Sequence, residues 1–318
     1  MKIKNIESER IRNLPTYLFQ EINTKKLELR RKGRDIIDFG MGNPDKPPPT
    51  PIIEKLKEVL NDPKVHRYSV SKGIFNLRKE VANWYERRFG VKLAPEEEVI
   101  VCIGSKEGIS HLALAIFDKG DVVLVPNPTY PSHLYSVIFA GGTIYDLPLT
   151  KENNFIPDLS QPIYDRFPKP KAMVISYPNN PTTQIVDIEF FKEVIKFAKK
   201  NDLIIIHDIA YSEIYFDGYK PPSFLQVNGA KNVGIEFYSL SKTYNMPGWR
   251  VGFAVGNKYV IGALAKLKSY YDYGIFTPIQ VAAITALRLD EKYIDEIRET
   301  YRKRRDVLVD GLNKIGWN

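Results

Sequence analysis

The 318-residue sequence has little of what marks a secreted, metal-binding or membrane-spanning protein. Its one cysteine, Cys102, cannot form an internal disulfide, and the four histidines, at positions 66, 111, 133 and 207, show no metal-ligand spacing. Apolar runs such as VVLV and LIII are far shorter than the roughly 18 residues that a membrane-spanning helix needs. The opening MKIKNIESER lacks the apolar stretch of a signal peptide. We therefore expect a cytoplasmic protein with no bound metal and no membrane partner.

Charge and composition further restrict the class of protein that the sequence can encode. Hydrophobic residues make up 43% of the chain and charged residues 26%, which is typical of a globular protein and excludes wholesale disorder. The net charge of +8 comes partly from basic clusters at residues 25–34 and 302–305. Both clusters have helix-like patterns, acidic neighbours and no interleaved aromatic residues. This pattern favours solvated helix faces over a nucleic-acid surface.

Strand-like and helix-like segments alternate along most of the chain. A first short strand is expected at residues 36–39, and amphipathic helices are expected after Pro51 and at residues 107–117 and 189–199. Further strands are predicted at EEVIVCIG, DVVLVP, GGTIYDLP, KAMVISYP, LIIIHD, IEFYSLS and RVGFAVG. The alternation predicts an α/β fold with a mostly parallel sheet covered on both faces, whose ligands bind beyond the carboxyl ends of the strands.

Polar residues follow several of these strands. GSKEG, which contains Ser105 and Lys106, is either a phosphate cradle at a helix N-terminus or an ordinary strand–turn–helix connection. Tyr130 in NPTYP either stacks on a flat ring or packs against its own loop. Asn180 in NNPTT either presents an amide donor or only shapes the turn.

Two charged residues at strand ends carry more information. Asp208 ends the apolar strand LIIIHD, where a carboxylate needs a positive partner to offset its desolvation. His207 precedes it, should point to the opposite face of the sheet, and is interpreted as a packed or hydrogen-bonded histidine. Lys242 lies in SLSKTYNMPGWRVG directly after a strand, where a lysine in a cleft can form a Schiff base with an aldehyde.

Together the segments GSKEG, NPTYP, NNPTT, HDIAYSEIYF and SLSKTYNMPGWRVGF, in this order, resemble the class I/II aminotransferases of pyridoxal-phosphate fold type I. IDFGMGNPD, RYSVSKGI and KSYYDYGIFTPIQVAAI are similar to the bacterial glutamate–pyruvate (alanine) aminotransferases within that family. The resemblance implies an alanine transaminase. Such an enzyme moves an amino group between L-alanine and 2-oxoglutarate by a ping-pong mechanism. Other members of the family act on aspartate, aromatic amino acids or LL-diaminopimelate, and these alternatives stay open.

The resemblance assigns a role to each strand-end residue. Lys242 would hold the cofactor as an internal aldimine and then move the proton at the substrate Cα. Asp208 would pair with the protonated pyridine nitrogen, which makes the ring an electron sink. Tyr211 and Asn180 would hydrogen-bond the ring's 3-oxygen, and Tyr130 would stack on the ring.

Phosphate, substrate and subunit contacts are also implied by the resemblance. Tyr68 would reach a neighbouring subunit's phosphate, which implies a homodimer with shared active sites. The substrate would contact the backbone of Gly42 and the side chain of Asn180, and the bonds before Pro128 and Pro181 would be cis. The phosphate would be held within one subunit by Ser105, Lys106, Ser239 and Arg250.

Domain boundaries follow from the same resemblance. Residues 1–50 would form an N-terminal arm and part of a small domain, residues 51–278 the large cofactor-binding domain, and residues 279–318 the start of the C-terminal small domain. The family's arginine for the substrate α-carboxylate lies in a later segment that no residue here matches, so we expect the sequence to be a fragment. A cofactor-binding transcription regulator is a distant alternative, but no helix-turn-helix precedes the first strand. No G-x-G-x-x-G follows any strand, which disfavours a dinucleotide-dependent oxidoreductase.

Overall fold

A computed structural model describes residues 6–12, 14–160 and 168–317. The chain divides into two compact units, Met1–Asp45 and Lys46–Asn318. The first unit contains helices α1 (Glu9–Arg12) and α2 (Leu18–Arg31). The three-part division expected from the sequence, at 1–50, 51–278 and 279–318, stays a prediction.

The strand expected at residues 36–39 is absent from the described part of the first unit. Ile37 and Phe39 are 80% and 85% exposed, and neither belongs to a strand. A backbone segment becomes a strand only when a neighbouring strand takes up its hydrogen bonds. The prediction of a strand here was therefore wrong, because the apolar residues of the segment have no partner strand in the described chain.

The second unit is built around one seven-stranded sheet. Its strand order is β1-β7-β6-β5-β4-β2-β3, in which β7 runs antiparallel to both neighbours and all other pairs are parallel. This arrangement confirms the α/β class and the mostly parallel sheet. The strands are β1 (Val99–Cys102), β2 (Val122–Asn127), β3 (Thr143–Pro148), β4 (Pro170–Ser176), β5 (Ile204–Asp208), β6 (Gly234–Ser239) and β7 (Gly252–Gly256).

Helices of the second unit cover both faces of this sheet. Helix α5 packs against α6 and α10, while α11 packs against α3 and α4. Short 3-10 helices occur at Pro63–His66, Phe224–Gln226 and Pro247–Trp249. The α-helices are α3 (Thr50–Val59), α4 (Phe75–Phe89), α5 (Ser105–Ile116), α6 (Pro131–Phe139), α7 (Ile188–Asn201), α8 (Ala230–Val233), α9 (Leu240–Thr243), α10 (Lys258–Tyr271), α11 (Thr277–Leu287) and α12 (Glu291–Lys314).

The sheet separates two hydrophobic clusters because successive side chains of a strand point to opposite faces. On β5, Ile205 belongs to one cluster and Ile206 to the other. His207 follows the same alternation and packs against the ring of Phe191 at 5.0 Å between centroids, in the cluster that contains Ile205. Asp208 therefore points to the opposite face, as the alternation predicted.

The basic cluster at residues 302–305 lies on α12 and has acidic partners. Arg302 contacts Glu299 at 2.6 Å and Asp306 at 2.8 Å, and Arg305 contacts Asp217 at 2.5 Å. These ion pairs agree with a solvated helix face. None of the helices in the described residues combines the length and the apolar character that a bilayer crossing requires.

Candidate active site

The candidate site lies at the edge of the sheet where the parallel strands end. Asp208 ends β5, next to β6. Ser239 at the end of β6 and Cys102 at the end of β1 both pair with Gly252, the first residue of β7. Since β7 runs antiparallel, it begins at this same edge, and Arg250 lies just before it. The sheet therefore brings the polar strand ends together although they are far apart in the sequence.

Asp208 is held by a buried histidine. Its Oδ2 lies 3.0 Å from Nε2 of His133, which is 1% exposed, and its Oδ1 accepts a hydrogen bond from the backbone N–H of Ala210 at 3.1 Å. Thr129 Oγ1 lies 2.8 Å from Nδ1 of the same ring. An ionised carboxylate only accepts hydrogen bonds, so the ring presents its Nε2–H to Asp208. This arrangement fixes the direction of the carboxylate at the end of β5.

Lys242, Tyr211 and Asn180 lie together. The ammonium nitrogen of Lys242 is 5.8 Å from the ring centre of Tyr211, and Asn180 Nδ2 donates to the Tyr211 hydroxyl at 3.4 Å. Burial lowers the pKa of Lys242, which favours the neutral, nucleophilic amine. Burial, together with the negative charge of Asp208, raises the pKa of Tyr211 to about 12, so this hydroxyl keeps its proton at neutral pH.

A second group of residues forms a small cradle at the N-terminus of α5. Gly104 precedes Ser105 with φ 79°, a backbone conformation that favours glycine. A Cβ at Gly104 would overlap the guanidinium of Arg250, whose Nη2 donates to the carbonyl of Ile103 at 3.4 Å. A Cβ at Gly252 would likewise come within 2.8 Å of the backbone nitrogen of Ser105. The two glycines thus let the helix N-terminus and the guanidinium approach each other closely.

The loops around this cradle are shaped by short-range hydrogen bonds. Ser239, which is buried, accepts from the backbone N–H of Ser241 at 3.2 Å and so caps the short helix that carries Lys242. Tyr130 immediately precedes α6, and its half-buried ring lies edge-on to His133 at 5.7 Å. Lys106 is the second residue of α5 and is exposed.

The cis bonds expected before Pro128 and Pro181 are confirmed. A third cis bond, before Pro178, was not expected from the sequence.

The structure does not bring Tyr68 into these two groups. Tyr68 is 85% exposed and contacts the ring of Tyr273 at 4.6 Å between centroids. Gly42 is an exposed residue of the Met1–Asp45 unit. The roles expected for both residues stay predictions.

A model of the aminotransferase class I and II family matches residues 34–318, and the chain belongs to this family. It is therefore a pyridoxal-phosphate-dependent aminotransferase of fold type I, which uses amino acids and 2-oxo acids as substrates.

Named proteins with similar sequences and structures include three aminotransferases. The chain is 51% identical to the glutamate–pyruvate aminotransferase AlaC of Escherichia coli (strain K12), over 97% of this chain and 75% of that protein. It is 50% identical to the LL-diaminopimelate aminotransferase of Moorella thermoacetica, over 98% of this chain and 80% of that one. A solved structure of a Thermus thermophilus aspartate aminotransferase mutant superimposes with a TM-score of 0.91 at 31% identity, over 98% and 81% of the two chains.

The residues at the sheet edge fit pyridoxal phosphate on chemical grounds. A buried carboxylate, Asp208, suits a protonated ring nitrogen, and Lys242 with its lowered pKa suits an aldehyde. The cradle of Ser105 and Arg250 combines helix N–H groups with a guanidinium fork, a donor set suited to phosphate, and it exists only because Gly104 has no side chain.

Sequence reasoning overlooked His133 and Thr129 beside Asp208. The signal was present in the spacing, since His133 follows Tyr130 by three residues and Thr129 by four. Residues three and four apart on one helical turn share a face. This spacing could have placed the histidine at the same edge of the sheet as the strand-end tyrosine, but the prediction was not made.

Proposed function

We propose that this aminotransferase moves an amino group between L-alanine and 2-oxoglutarate, forming pyruvate and L-glutamate. The observation that carries the proposal is the 51% identity to a glutamate–pyruvate aminotransferase along 97% of this chain. The lysine, tyrosine, asparagine and aspartate at the sheet edge supply the chemistry that such a transfer requires.

We assign the ring-facing roles as follows. Bound pyridoxal phosphate supplies an electron sink for the pair of electrons left at the substrate Cα. Asp208, oriented by His133, would pair with the ring nitrogen. Lys242 would hold the cofactor, and its Nζ would move the proton at the substrate Cα. Tyr211 keeps its hydroxyl proton at neutral pH and, with Asn180, would donate to the ring's 3-oxygen, while Tyr130 would stack on the ring.

The phosphate would be bound by Ser105 and Lys106 at the N-terminus of α5, and by Ser239 and Arg250. The helix N-terminus contributes backbone N–H groups and a partial positive charge. Arg250 offers two parallel N–H donors that match phosphate oxygens.

A homodimer with shared sites is part of the proposal. Tyr68 contacts the ring of Tyr273, and both are exposed, as are Tyr270, Tyr271 and Phe276 close by in the sequence; these five residues are between 41% and 86% exposed. So many exposed aromatic side chains are typical of a protein–protein interface. Light scattering would give the oligomeric state. Tyr68→Phe is expected to weaken cofactor binding only if the hydroxyl reaches a partner's phosphate.

The substrate contacts of Gly42 and Asn180, the cytoplasmic location and the three-part domain division complete the proposal. Gly42→Pro is the simplest test of the first, since it removes the backbone N–H of residue 42. The expected result is a raised KM for the amino acid with unchanged cofactor binding.

A second candidate substrate is LL-diaminopimelate. Aminotransferases of that name from Moorella thermoacetica and Halothermothrix orenii are 50% and 51% identical to this chain, as similar as the glutamate–pyruvate enzyme. The residues at the sheet edge described above bind the cofactor and do not separate the two donors.

The deciding experiment follows the absorption spectrum of the cofactor-loaded protein after addition of one amino acid at a time. L-Alanine should bleach the yellow band, and 2-oxoglutarate should restore it. Bleaching by LL-diaminopimelate but not by L-alanine would replace the first candidate by the second. Lys242→Ala should abolish the linkage that borohydride traps, and a trapped linkage at another lysine would move the nucleophile away from Lys242. Asp208→Ala should bind the cofactor weakly and slow the bleaching by orders of magnitude.

A further inference from the structure

A buried lysine lies behind the N-terminus of α5, outside the groups described so far. Lys268 of α10 is fully buried. Its ammonium nitrogen lies 2.8 Å from Glu107 Oε1 and 2.9 Å from Asp272 Oδ2. Both contacts are within the range of charge-assisted hydrogen bonds. Lys268 therefore joins α5 to the end of its own helix.

The surroundings of Lys268 favour the charged forms of both Lys268 and Glu107. Burial lowers the pKa of Lys268, but the neighbouring Cys102, Glu107 and Asp272 raise it by more, so it ends above its ordinary value. Burial likewise raises the pKa of Glu107, but the close contact with His111 Nδ1 and the charge of Lys268 bring it below its ordinary value.

Glu107 and Asp272 also lie near His111, and these three side chains carry atoms of the kind that bind a metal cation. Single ligand atoms of Glu107, His111 and Asp272 lie within 4.8 Å of one another. The ammonium of Lys268 is already within hydrogen-bond distance of both carboxylates. Lys268 thus supplies one positive charge to the two carboxylates of this cluster.

The negative charge of Glu107 lies where it disfavours phosphate binding. It is the third residue of α5, in the same first turn as Ser105 and Lys106. Its Oε2 accepts the backbone N–H of Ile103 at 2.7 Å, which holds the carboxylate beside the loop that forms the cradle. A full negative charge in this turn repels a phosphate dianion, unless a nearby positive charge offsets it.

We propose that Lys268 is a positioning residue for the cofactor phosphate, which neutralises Glu107 and holds it against the Ile103 loop. The inference rests on the proposed phosphate cradle at Ser105 and Arg250 and extends it by a residue that does not touch the phosphate. Removing Lys268 leaves the charge of Glu107 uncompensated behind the cradle. The affinity for a phosphate-bearing ligand falls, whereas the affinity for the same ligand without phosphate changes little.

The contact between Lys268 and Asp272 has a structural role, and the test must separate that role from the proposed effect on phosphate binding. Asp272 Oδ1 accepts the backbone N–H of Gly274 at 2.6 Å, and the Asp272 carbonyl accepts the Ser71 hydroxyl at 2.5 Å. These bonds order the segments next to Tyr68 and Tyr273. Loss of Lys268 therefore also destabilises the protein through Asp272, so a drop in melting temperature does not test the proposal.

The test is the affinity of the apo-protein for pyridoxal 5'-phosphate relative to pyridoxal, at about pH 8.5, where histidine side chains are ordinarily neutral. Lys268→Met is expected to reduce this ratio roughly 10- to 100-fold, the effect of an uncompensated negative charge in the same helical turn as the phosphate-binding residues. Glu107→Gln, which keeps the charge of Lys268 and an acceptor for Ile103, is expected to raise the ratio several-fold. The double variant Glu107→Gln/Lys268→Met should regain most of the ratio although Asp272 stays unpaired. Lys266→Met, at an exposed position of the same helix, is the matched control and should leave the ratio unchanged.

The outcomes separate this inference from the proposal on which it rests. If Arg250→Ala leaves the ratio at its wild-type value, the proposed cradle is wrong. If Arg250→Ala lowers the ratio but Lys268→Met weakens both ligands equally, Lys268 is only a structural residue and the inference is overturned. An unchanged ratio in Glu107→Gln overturns it as well, even if Lys268→Met fails to fold.

Discussion

Replacing His133 by leucine removes the hydrogen bond between its Nε2 and Asp208 Oδ2, which spans 3.0 Å. The ring is 1% exposed, so no water replaces the lost donor without rearrangement of α6. A hydrogen bond to a charged group contributes about 1.5–3 kcal/mol, and a tenfold change in affinity corresponds to about 1.4 kcal/mol. If that contribution serves to orient Asp208 toward the cofactor, His133→Leu weakens pyridoxal phosphate binding by about 10- to 100-fold.

The assay is an equilibrium titration of the apo-protein with pyridoxal phosphate, followed by the spectral change on binding. His133→Gln is the matched control, because its amide nitrogen reaches near the position of Nε2 and retains a donor. The expected order of affinities is wild type, then His133→Gln, then His133→Leu. Circular dichroism checks that each variant is folded. Unchanged affinity in a folded His133→Leu protein would refute the reasoning, since Asp208 would then keep its direction without the histidine.

Four other substitutions test further contacts of the described residues. Lys242→Met should stabilise the apo-protein at neutral pH, because burial lowers the pKa of Lys242 in the folded state. The folded wild type therefore gains stability as the pH rises from that lowered pKa towards about 10.4, the ordinary lysine value. Urea unfolding at several pH values should show the free energies of unfolding of the two proteins converging as the pH rises. Glu236→Ala should cost about 3–5 kcal/mol in chemical denaturation, because the buried carboxylate accepts from Tyr85 at 2.8 Å and from Ser223 at 2.6 Å, whereas Tyr85→Phe should cost about 1 kcal/mol. Gly104→Ala should weaken binding of pyridoxal phosphate about tenfold and leave pyridoxal binding nearly unchanged, because the residue has φ 79° and the added Cβ overlaps Arg250.

The sequence predicted most of the sheet because each buried strand is a short apolar run bounded by turn residues. LIIIHD corresponds to β5, and the alternation of His207 and Asp208 between the two faces follows from strand geometry alone. The strand expected at residues 36–39 failed because an apolar segment cannot show whether a neighbour exists to pair with it. Strand order could not be predicted either, since it depends on packing between segments far apart in the chain.

Contacts between distant segments explain what the sequence did not show at the site. Lys268 meets Glu107 across 161 positions, and no local pattern marks either residue as the other's partner. His133 is closer to the predicted site, but its role becomes visible only when the end of β5 places Asp208 beside α6. Tyr68 is exposed in the single chain, and its expected partner is a residue of a second subunit, which no pattern within one sequence encodes.

The antiparallel β7 explains why Lys242 and Arg250, eight residues apart, lie at the same edge of the sheet. Between β6 and β7 the chain forms only the four-residue helix α9 and the 3-10 helix Pro247–Trp249. The twelve residues between the two strands, 240–251, form these two short helical turns and the loops beside them, and no longer helix carries the chain back along the sheet for a parallel strand. The chain therefore turns at the strand end. Because β7 then lies between β1 and β6, Arg250 comes next to the N-terminus of α5 on one side and the helix of Lys242 on the other. The short spacing that makes SLSKTYNMPGWR recognisable in the sequence is thus the same feature that brings Lys242 and the cradle at the N-terminus of α5 to one edge of the sheet.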